Sequence, residues 1–518
     1  MKLVKYSKHR KRWIALLLVL VSLVAIIYFA HIGSLSEERL SAFGSPRDTI
    51  RIWYADEALT DYMNSAAVSY QEEYDIRVVP VLTSGLEYLD NINRASLGTD
   101  SEKREMPDMY VISNDALKKA CLAGLASEVQ DKKGICNTEN YPQTAMDAVT
   151  YKDKIMGYPF YYETSVLLYN KTYMDEVAKT AIETEADVAA AEESQVQLDA
   201  ALEDGNTDQI VDENGDLKET GESSTEADVS RQAIDEKIDT VIPKTIDDIL
   251  TFANEYDAPE TVEAVFKWDV TDIFYNYFFV GDYMNVGGNT GDDVNQIDIY
   301  NQDTIDCLQV YQNLNQFFSI DPDEVTYDSV LQDFIDGKTV FSVVTTDAVA
   351  KIEEAKANGQ FNYDYGISKI PDVGDKLHSR SLSVTNTVAV NGYSDKKEEA
   401  NDFAAYLVKD HANDLYSQGG KVSSNKNVTF ENPVLGNAMQ EYEQSIPMPK
   451  MIETSNYWVQ LEIAFTRIWT GEDVNQQLKL LSEQIMTQVT GAPYQEETIV
   501  EPAEEEEDKS YLDEGMGS

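Results

Sequence analysis

Hydrophobic and polar positions along the chain switch repeatedly between a period of two and a period near 3.6. Thr49–Tyr54 is a run of β-branched and aromatic residues, Leu59–Tyr74 spaces its apolar side chains as a helix does, and Ile76–Val81 returns to a strand. A strand, a helix and a strand in that order build a parallel pair. Leu86–Leu97 predicts a further helix, and Asp108–Ile112 a strand that ends in the polar Ser113, Asn114 and Asp115. Later in the chain, Thr164–Tyr169 and Ser383–Val390 are strand-like, Lys396–Val408 is helical, and Phe334–Phe341 reads as a helix end, a glycine stop and a buried strand. Two α/β sheets with a chain that crosses between them fit this order better than one very wide sheet. In open α/β sheets ligands sit beyond the carboxyl ends of the strands, so Trp53–Glu57 and Ser113–Asp115 are the first loops to watch.

Three stretches break the pattern. Lys2, Lys5, Lys8, Arg10, Lys11 and Arg12 precede an uncharged apolar run from Trp13 to Ala30, just long enough to span a bilayer core. The basic flank predicts an N-terminal transmembrane anchor within residues 1–31, N-terminus inside, with a cleaved signal peptide as the alternative. Either way the remaining chain is exported. From Ala181 to Thr240 there are 19 acidic and 3 basic residues and no aromatic, so this stretch is expected to be a mobile acidic insertion that permits at most two charged helices. Within it Asp212–Asp216 resembles a calcium loop, but Leu217 stands where such a loop needs glycine, so no metal is expected. The tail, 495–518, carries the run Glu504–Asp508 and is expected to be a solvated acidic terminus.

Composition then narrows the function. The 518 residues are 42% hydrophobic, enough for a sizeable core, but 93 acidic residues against 41 basic ones give a net charge of −52. Such a surface repels nucleic acid and other polyanions. Four scattered histidines leave little for a zinc site or a histidine-based triad, and no Gly-x-Ser-x-Gly, His-Glu-x-x-His, phosphate loop or dinucleotide fingerprint occurs. No enzyme activity and no cofactor are expected. The three cysteines are Cys121, Cys136 and Cys307; a Cys121–Cys136 bridge and buried free thiols both remain open.

Short segments in a fixed order carry a resemblance. They are IRIW at Ile50–Trp53, MPDMY at Met106–Tyr110, LAGL at Leu122–Leu125, MGYP at Met156–Pro159, LYNK at Leu168–Lys171, GGN at Gly287–Asn289, FIDGK at Phe334–Lys338, and MPKM at Met448–Met451 followed by Trp458. In this order the chain resembles the extracellular solute-binding proteins of ABC importers, in their maltose-binding-like, carbohydrate-handling branch. The resemblance runs from about Asp48 to Pro493 and leaves out the anchor, the insertion and the tail. It implies an α/β, two-lobed, periplasmic-binding-protein-like fold of type II with strands crossing at a hinge. Lobe 1 is then residues 48–161 plus 388–440, and lobe 2 residues 164–385 plus 441–494 with the insertion 181–240 inside it. Crossings are expected near Phe160–Glu163, near Val384–Thr387 and between Leu435 and Ser445.

The resemblance also implies a site. A sugar offers hydroxyls and an apolar ring face, so its site needs flat aromatic surfaces and hydrogen-bond acceptors. Asp115 aligns with a ligand-contacting aspartate of the family, Glu163 with a ligand-binding glutamate at the hinge, Tyr277 with a stacking tyrosine, and Trp458 with a stacking tryptophan. Glu57, in the first strand-to-helix loop, is a further ligand-binding expectation. Three family tryptophans are missing, since Ile112 stands in place of one and Thr345–Asp347 in place of two, which leaves the identity of the sugar open. The expected function is capture of a carbohydrate outside the cell and delivery to membrane permease subunits by a monomer. An extracellular sensory or adhesion module on the same fold is the second reading.

Overall fold

The computed structural model describes residues 49–100, 104–203, 230–318, 320–451, 453 and 456–500. The expected anchor, the Asp212–Asp216 loop and the Glu504–Asp508 run lie outside them. Among the described residues no helix is long and apolar enough to cross a membrane.

Among the described residues ten strands build the framework: β1 (Thr49–Tyr54), β2 (Arg77–Leu82), β3 (Met109–Ser113), β4 (Tyr158–Asn170), β5 (Ala264–Lys267), β6 (Thr339–Thr345), β7 (Tyr365–Ser368), β8 (Leu382–Val390), β9 (Val422–Ser423) and β10 (Ile446–Pro447). The helices that matter for the site are α1 (Thr60–Tyr74), α2 (Leu117–Leu122), α3 (Lys171–Glu203), α4 (Arg231–Val241), α5 (Val434–Gln444), α6 (Tyr457–Trp469) and α7 (Val474–Thr490). Strands β2, β1 and β3 are parallel neighbours, as the strand-helix-strand pattern predicts. Strand β8 follows β3 in antiparallel register, and the first half of β4 follows β8.

Strand β4 belongs to two sheets. Thr164 pairs with Ser383 of β8, whereas the next residue, Ser165, pairs with Thr345 of β6. From there β4 runs antiparallel to β6 and β7, and β5 lies parallel to β6 on the far side. Its 13 residues are almost all buried, because each half is covered on both faces by its own lobe. A second crossing falls at Leu382–Ser383, where β8 pairs with β10, and a third at Ile446–Pro447. The second therefore precedes the expected Val384–Thr387, and the third follows the expected 435–445. Helix α5 occupies Val434–Gln444, and the chain becomes extended only at its cap, Ser445.

Two large cores follow from this layout. One gathers Ile52, Met63, Val111, Tyr158, Phe403 and Leu415 around the first sheet, and the other gathers Phe266, Trp268, Phe279, Tyr311, Phe341 and Trp469 around the second. The first core also takes in Val344, Val349 and Ile352 by way of β4 residues Val166 and Leu168, so apolar packing is continuous beneath the hinge.

Helices α3 and α4 pack side by side through Met174, Ala178, Ile234 and Ile238, which all join the second core. Ion pairs Lys171–Asp235 and Arg231–Asp175 border that contact. Thus α4, inside the stretch expected to be mobile, is docked by two isoleucines four residues apart, while Val188 and Val196 farther along α3 are exposed. The tail is likewise held longer than expected. Ser482 donates to Glu496 at 2.6 Å, and the Ile499 amide donates to Tyr300 at 2.9 Å. Cys121, Cys136 and Cys307 are free thiols, so Cys121 and Cys136 are not joined. Burial pushes the thiol of Cys121 up to about 11, where it is protonated at neutral pH.

Candidate functional site

The carboxyl ends of β1 and β3 lie side by side because the two strands are parallel neighbours, and the loops after them bound a cavity of about 540 Å³. Its wall includes Asp56, Tyr88, Ser113, Ala116, Tyr161 and Asn386. Asp56 caps the turn that starts at Glu57, accepting the Ala58 amide at 3.0 Å through Oδ1. Its Oδ2 accepts from Lys421 Nζ at 2.7 Å, and the same ammonium lies 3.4 Å from Glu163 Oε1 and 5.4 Å above the Tyr161 ring. Burial alone would lower the Lys421 pKa, but the bonds to Asp56 and Glu163 outweigh it and hold the group above the ordinary lysine value.

The turn after β3 is tied to β8 and to the segment after β10. Asn114 is fully buried; its Nδ2 donates to the Met448 carbonyl at 2.7 Å, and its Oδ1 accepts the Thr385 amide at 3.0 Å. On α2 the buried Lys118 donates to Glu453 at 2.7 Å. Lys450, also buried, donates to the Asp147 carbonyl at 2.8 Å, and its backbone amide donates to the Gly291 carbonyl at 2.7 Å. Burial lowers the Lys450 pKa to about 8, against the opposing pull of Asp292 and Asp147.

Helix α6 has Trp458 as its second residue. Its indole is half-buried, with the Tyr277 ring 5.7 Å away and the Tyr457 ring 4.9 Å away, centroid to centroid. Tyr457 donates to the Met284 thioether at 3.4 Å. Tyr277 sits in a tight turn after the helix capped by Asp272 and is fully buried, and that burial pushes its phenol up to about 12.

The residues singled out from the sequence are therefore placed unequally. Glu163 joins the Lys421 cluster one residue before β4 starts its crossing. Asp115 is exposed beside the cavity wall and accepts from the Ser113 hydroxyl. Glu57 is exposed at the rim, and it is its neighbour Asp56 that turns inward. Tyr277 presents no open face and backs Trp458 instead, because the run 274–279 is core on nearly every side. Trp458 and Tyr277 lie on the second core and outside the lining of the lobe 1 cavity.

No group of three or more His, Cys, Asp or Glu side chains among the described residues is arranged to hold a metal ion. What this arrangement can do is accept hydrogen bonds at fixed carboxylates and offer aromatic faces nearby. Residues 65–441 match the family of bacterial extracellular solute-binding proteins. The chain belongs to that family. As a solute-binding protein it captures its ligand without covalent chemistry and is not an enzyme.

Individual relatives are distant. The chain is similar to the maltodextrin-binding protein MdxE of Bacillus subtilis, 20% identical over 79% of this chain and 82% of the relative. Among solved structures it is similar to an extracellular solute-binding protein from Staphylococcus aureus in complex with maltose, with a TM-score of 0.63, 17% identity, and coverage of 85% of this chain and 98% of that one. The maltose-binding protein MalE from Listeria monocytogenes, also in complex with maltose, gives a TM-score of 0.61 and 19% identity over 87% of this chain and all of the other. These likenesses establish the two-lobed α/β fold.

Three residues of this solute-binding protein's candidate site are not among those singled out as ligand-binding from the sequence. Asp56 has a signal, being an acidic cap directly before a helix. Asn114 has a weaker one, a polar residue after a buried strand. Lys421 has none beyond the Gly419–Gly420 pair that ends the preceding helix.

Proposed function

We propose that this solute-binding protein captures a carbohydrate between its lobes and hands it to the permease subunits of an ABC importer. The observation that carries the reading is the pairing of fixed carboxylates at the ends of the parallel strands with a half-buried tryptophan on the other lobe. Carboxylates accept from sugar hydroxyls, and an indole face takes the apolar face of a pyranose ring. In this reading Trp458 stacks on the ligand, Glu163 and Asp115 accept its hydroxyls, Glu57 contributes from the rim, and Tyr277 steadies the Trp458 ring. Lobe closure over the cavity would bring Trp458 to the ligand.

The finer organisation belongs to the same proposal. Lobe 1 is taken as 48–161 plus 388–440 and lobe 2 as 164–385 plus 441–494. The segment 1–31 is a retained single-pass anchor with the binding lobes outside the cell, and the protein acts as a monomer. Maltose and maltodextrins are the ligands named for the relatives, and they head the panel to test. Ile112 and Thr345–Asp347 remove aromatic surfaces that a long maltodextrin could use, so a shorter or different saccharide is an equal expectation. Calorimetric titration of the full-length protein against mono-, di- and oligosaccharides should give a dissociation constant of roughly micromolar order for at least one. No heat and no thermal shift with any of them would contradict the carbohydrate reading.

A further inference from the structure

Three separate elements deliver the charged cluster, which reaches the cavity wall through Asp56 and the adjoining Tyr161. Asp56 closes the turn after β1, Glu163 lies on β4 one residue before Thr164, and Lys421 follows Gly420 at the entry to β9. The left-handed backbone of Gly420, φ 63°, turns the chain sharply out of the helix Leu415–Gly419. Strand β9 then pairs with β4 in the register Val422↔Tyr162 and Ser423↔Tyr161, which places Lys421 across from Glu163. The Lys421 side chain is only 16% exposed, and the titratable groups that face its ammonium are Asp56, Glu163 and the phenol of Tyr161.

The cluster leaves the carboxylates oriented and still able to bind. Asp56 is held at both oxygens, by the Ala58 amide at Oδ1 and by Lys421 at Oδ2. Each carboxylate oxygen offers about two lone-pair sites, so the second site on each remains for a ligand hydroxyl. Acceptors already held in place bind without the entropy loss of being ordered.

Resting on the carbohydrate reading, we propose that Lys421 is a ligand-positioning residue: it aims Asp56 and Glu163 as paired acceptors and thereby fits the cleft floor to an uncharged polyhydroxylated solute. The cluster keeps one net negative charge, which opposes uronic acids and sugar phosphates. An ion pair that merely held the lobe together would act on stability and leave the affinity of the folded protein alone.

The test compares full-length wild type, Lys421→Met and Lys421→Arg with the best saccharide of the panel, by calorimetry well below the lowest melting temperature. Lys421→Met should bind at least tenfold more weakly, and Lys421→Arg should return to within threefold of wild type. A Lys421→Met dissociation constant within twofold of wild type, with only the melting temperature lowered, would overturn the proposal. Should Lys421→Met fail to fold, Lys421→Gln, uncharged and one atom shorter but with an amide donor, takes its place, and the same two outcomes decide.

If wild type binds no saccharide, the carbohydrate reading fails first, and a ligand-free readout still judges Lys421. Two carboxylates deprived of their shared cation repel each other, and removing one of the two charges relieves the repulsion. Adding Asp56→Asn to Lys421→Met should therefore recover at least half of the melting temperature that Lys421→Met loses. No recovery would show that Lys421 is not the counter-ion of the pair.

Discussion

At the scale of single residues, Trp458 and Tyr277 divide one task between them. Trp458 keeps part of its indole open, whereas Tyr277 is sealed behind it. Trp458→Ala should weaken saccharide binding by roughly 1.5–3 kcal/mol, about 10- to 150-fold, from lost apolar contact and ring stacking, as read by calorimetry. Tyr277→Phe should leave affinity within about twofold while lowering stability by about 1 kcal/mol, the usual effect of one lost buried hydrogen bond, here the one between the Tyr277 and Tyr457 hydroxyls, measured by urea denaturation. A large affinity loss in Tyr277→Phe would instead place its hydroxyl on the ligand. The family resemblance pointed to Tyr277, but an alignment does not say which ring of Tyr275, Tyr277 and Trp458 is left uncovered. That depends on packing against Tyr457 and Met284, residues distant in sequence. Lys421 illustrates the same limit, since its two partners lie 365 and 258 positions away, and local pattern carries no trace of either.

Elements were more legible than contacts. The alternation over 49–81 gave β1, α1 and β2, because one face of each is buried and periodicity records burial. The sheet switch in β4 left no such mark, since a strand covered on both faces shows no alternation in either half. The docked α4 was hidden for the opposite reason: two isoleucines are lost in the average over a long acidic stretch.

Two predictions belong to the connections between elements. Lys450 joins segment 448–451 to the Asp147 carbonyl near the end of the helix Gln143–Val149, and burial has lowered its pKa from 10.5 to about 8. Between about pH 8 and pH 10.5 the unfolded chain therefore binds the proton that the folded chain has released, so stability should rise with pH in that window. Relative to Lys450→Met, wild type should gain up to roughly 3 kcal/mol across it, measured by denaturant unfolding, and below pH 8 the difference should be flat. A difference independent of pH from 7 to 10.5 would contradict the lowered value. The second concerns Gly281, where a Cβ would sit 2.0 Å from the Arg380 carbonyl oxygen, next to the crossing at Leu382–Ser383. Gly281→Ala should destabilise the protein by roughly 1–3 kcal/mol through forced backbone shifts, read as a lower melting temperature. An unchanged melting temperature would show that this approach is loose.

For the whole molecule, charge and architecture point the same way. A net charge of −52 disfavours anionic ligands at long range but leaves an uncharged sugar indifferent. The lobes share one long strand and two shorter crossings, so relative rotation needs changes at few backbone positions. Class and order of elements could be read from the chain itself. How far the lobes stand apart could not, because closure depends on the difference in ligand contacts between two arrangements of the same sequence. The lobe 1 cavity with Asp56 on its wall and Trp458 across the hinge are the two halves that closure has to join.

A crystal structure of the protein with the saccharide that binds it best tests this most directly. The expected result is a sugar enclosed between the lobes, its ring face against Trp458 and its hydroxyls within hydrogen-bond reach of Glu163 and Asp56. A sugar bound elsewhere, or one held in the cleft without touching either Trp458 or Glu163, would contradict the account.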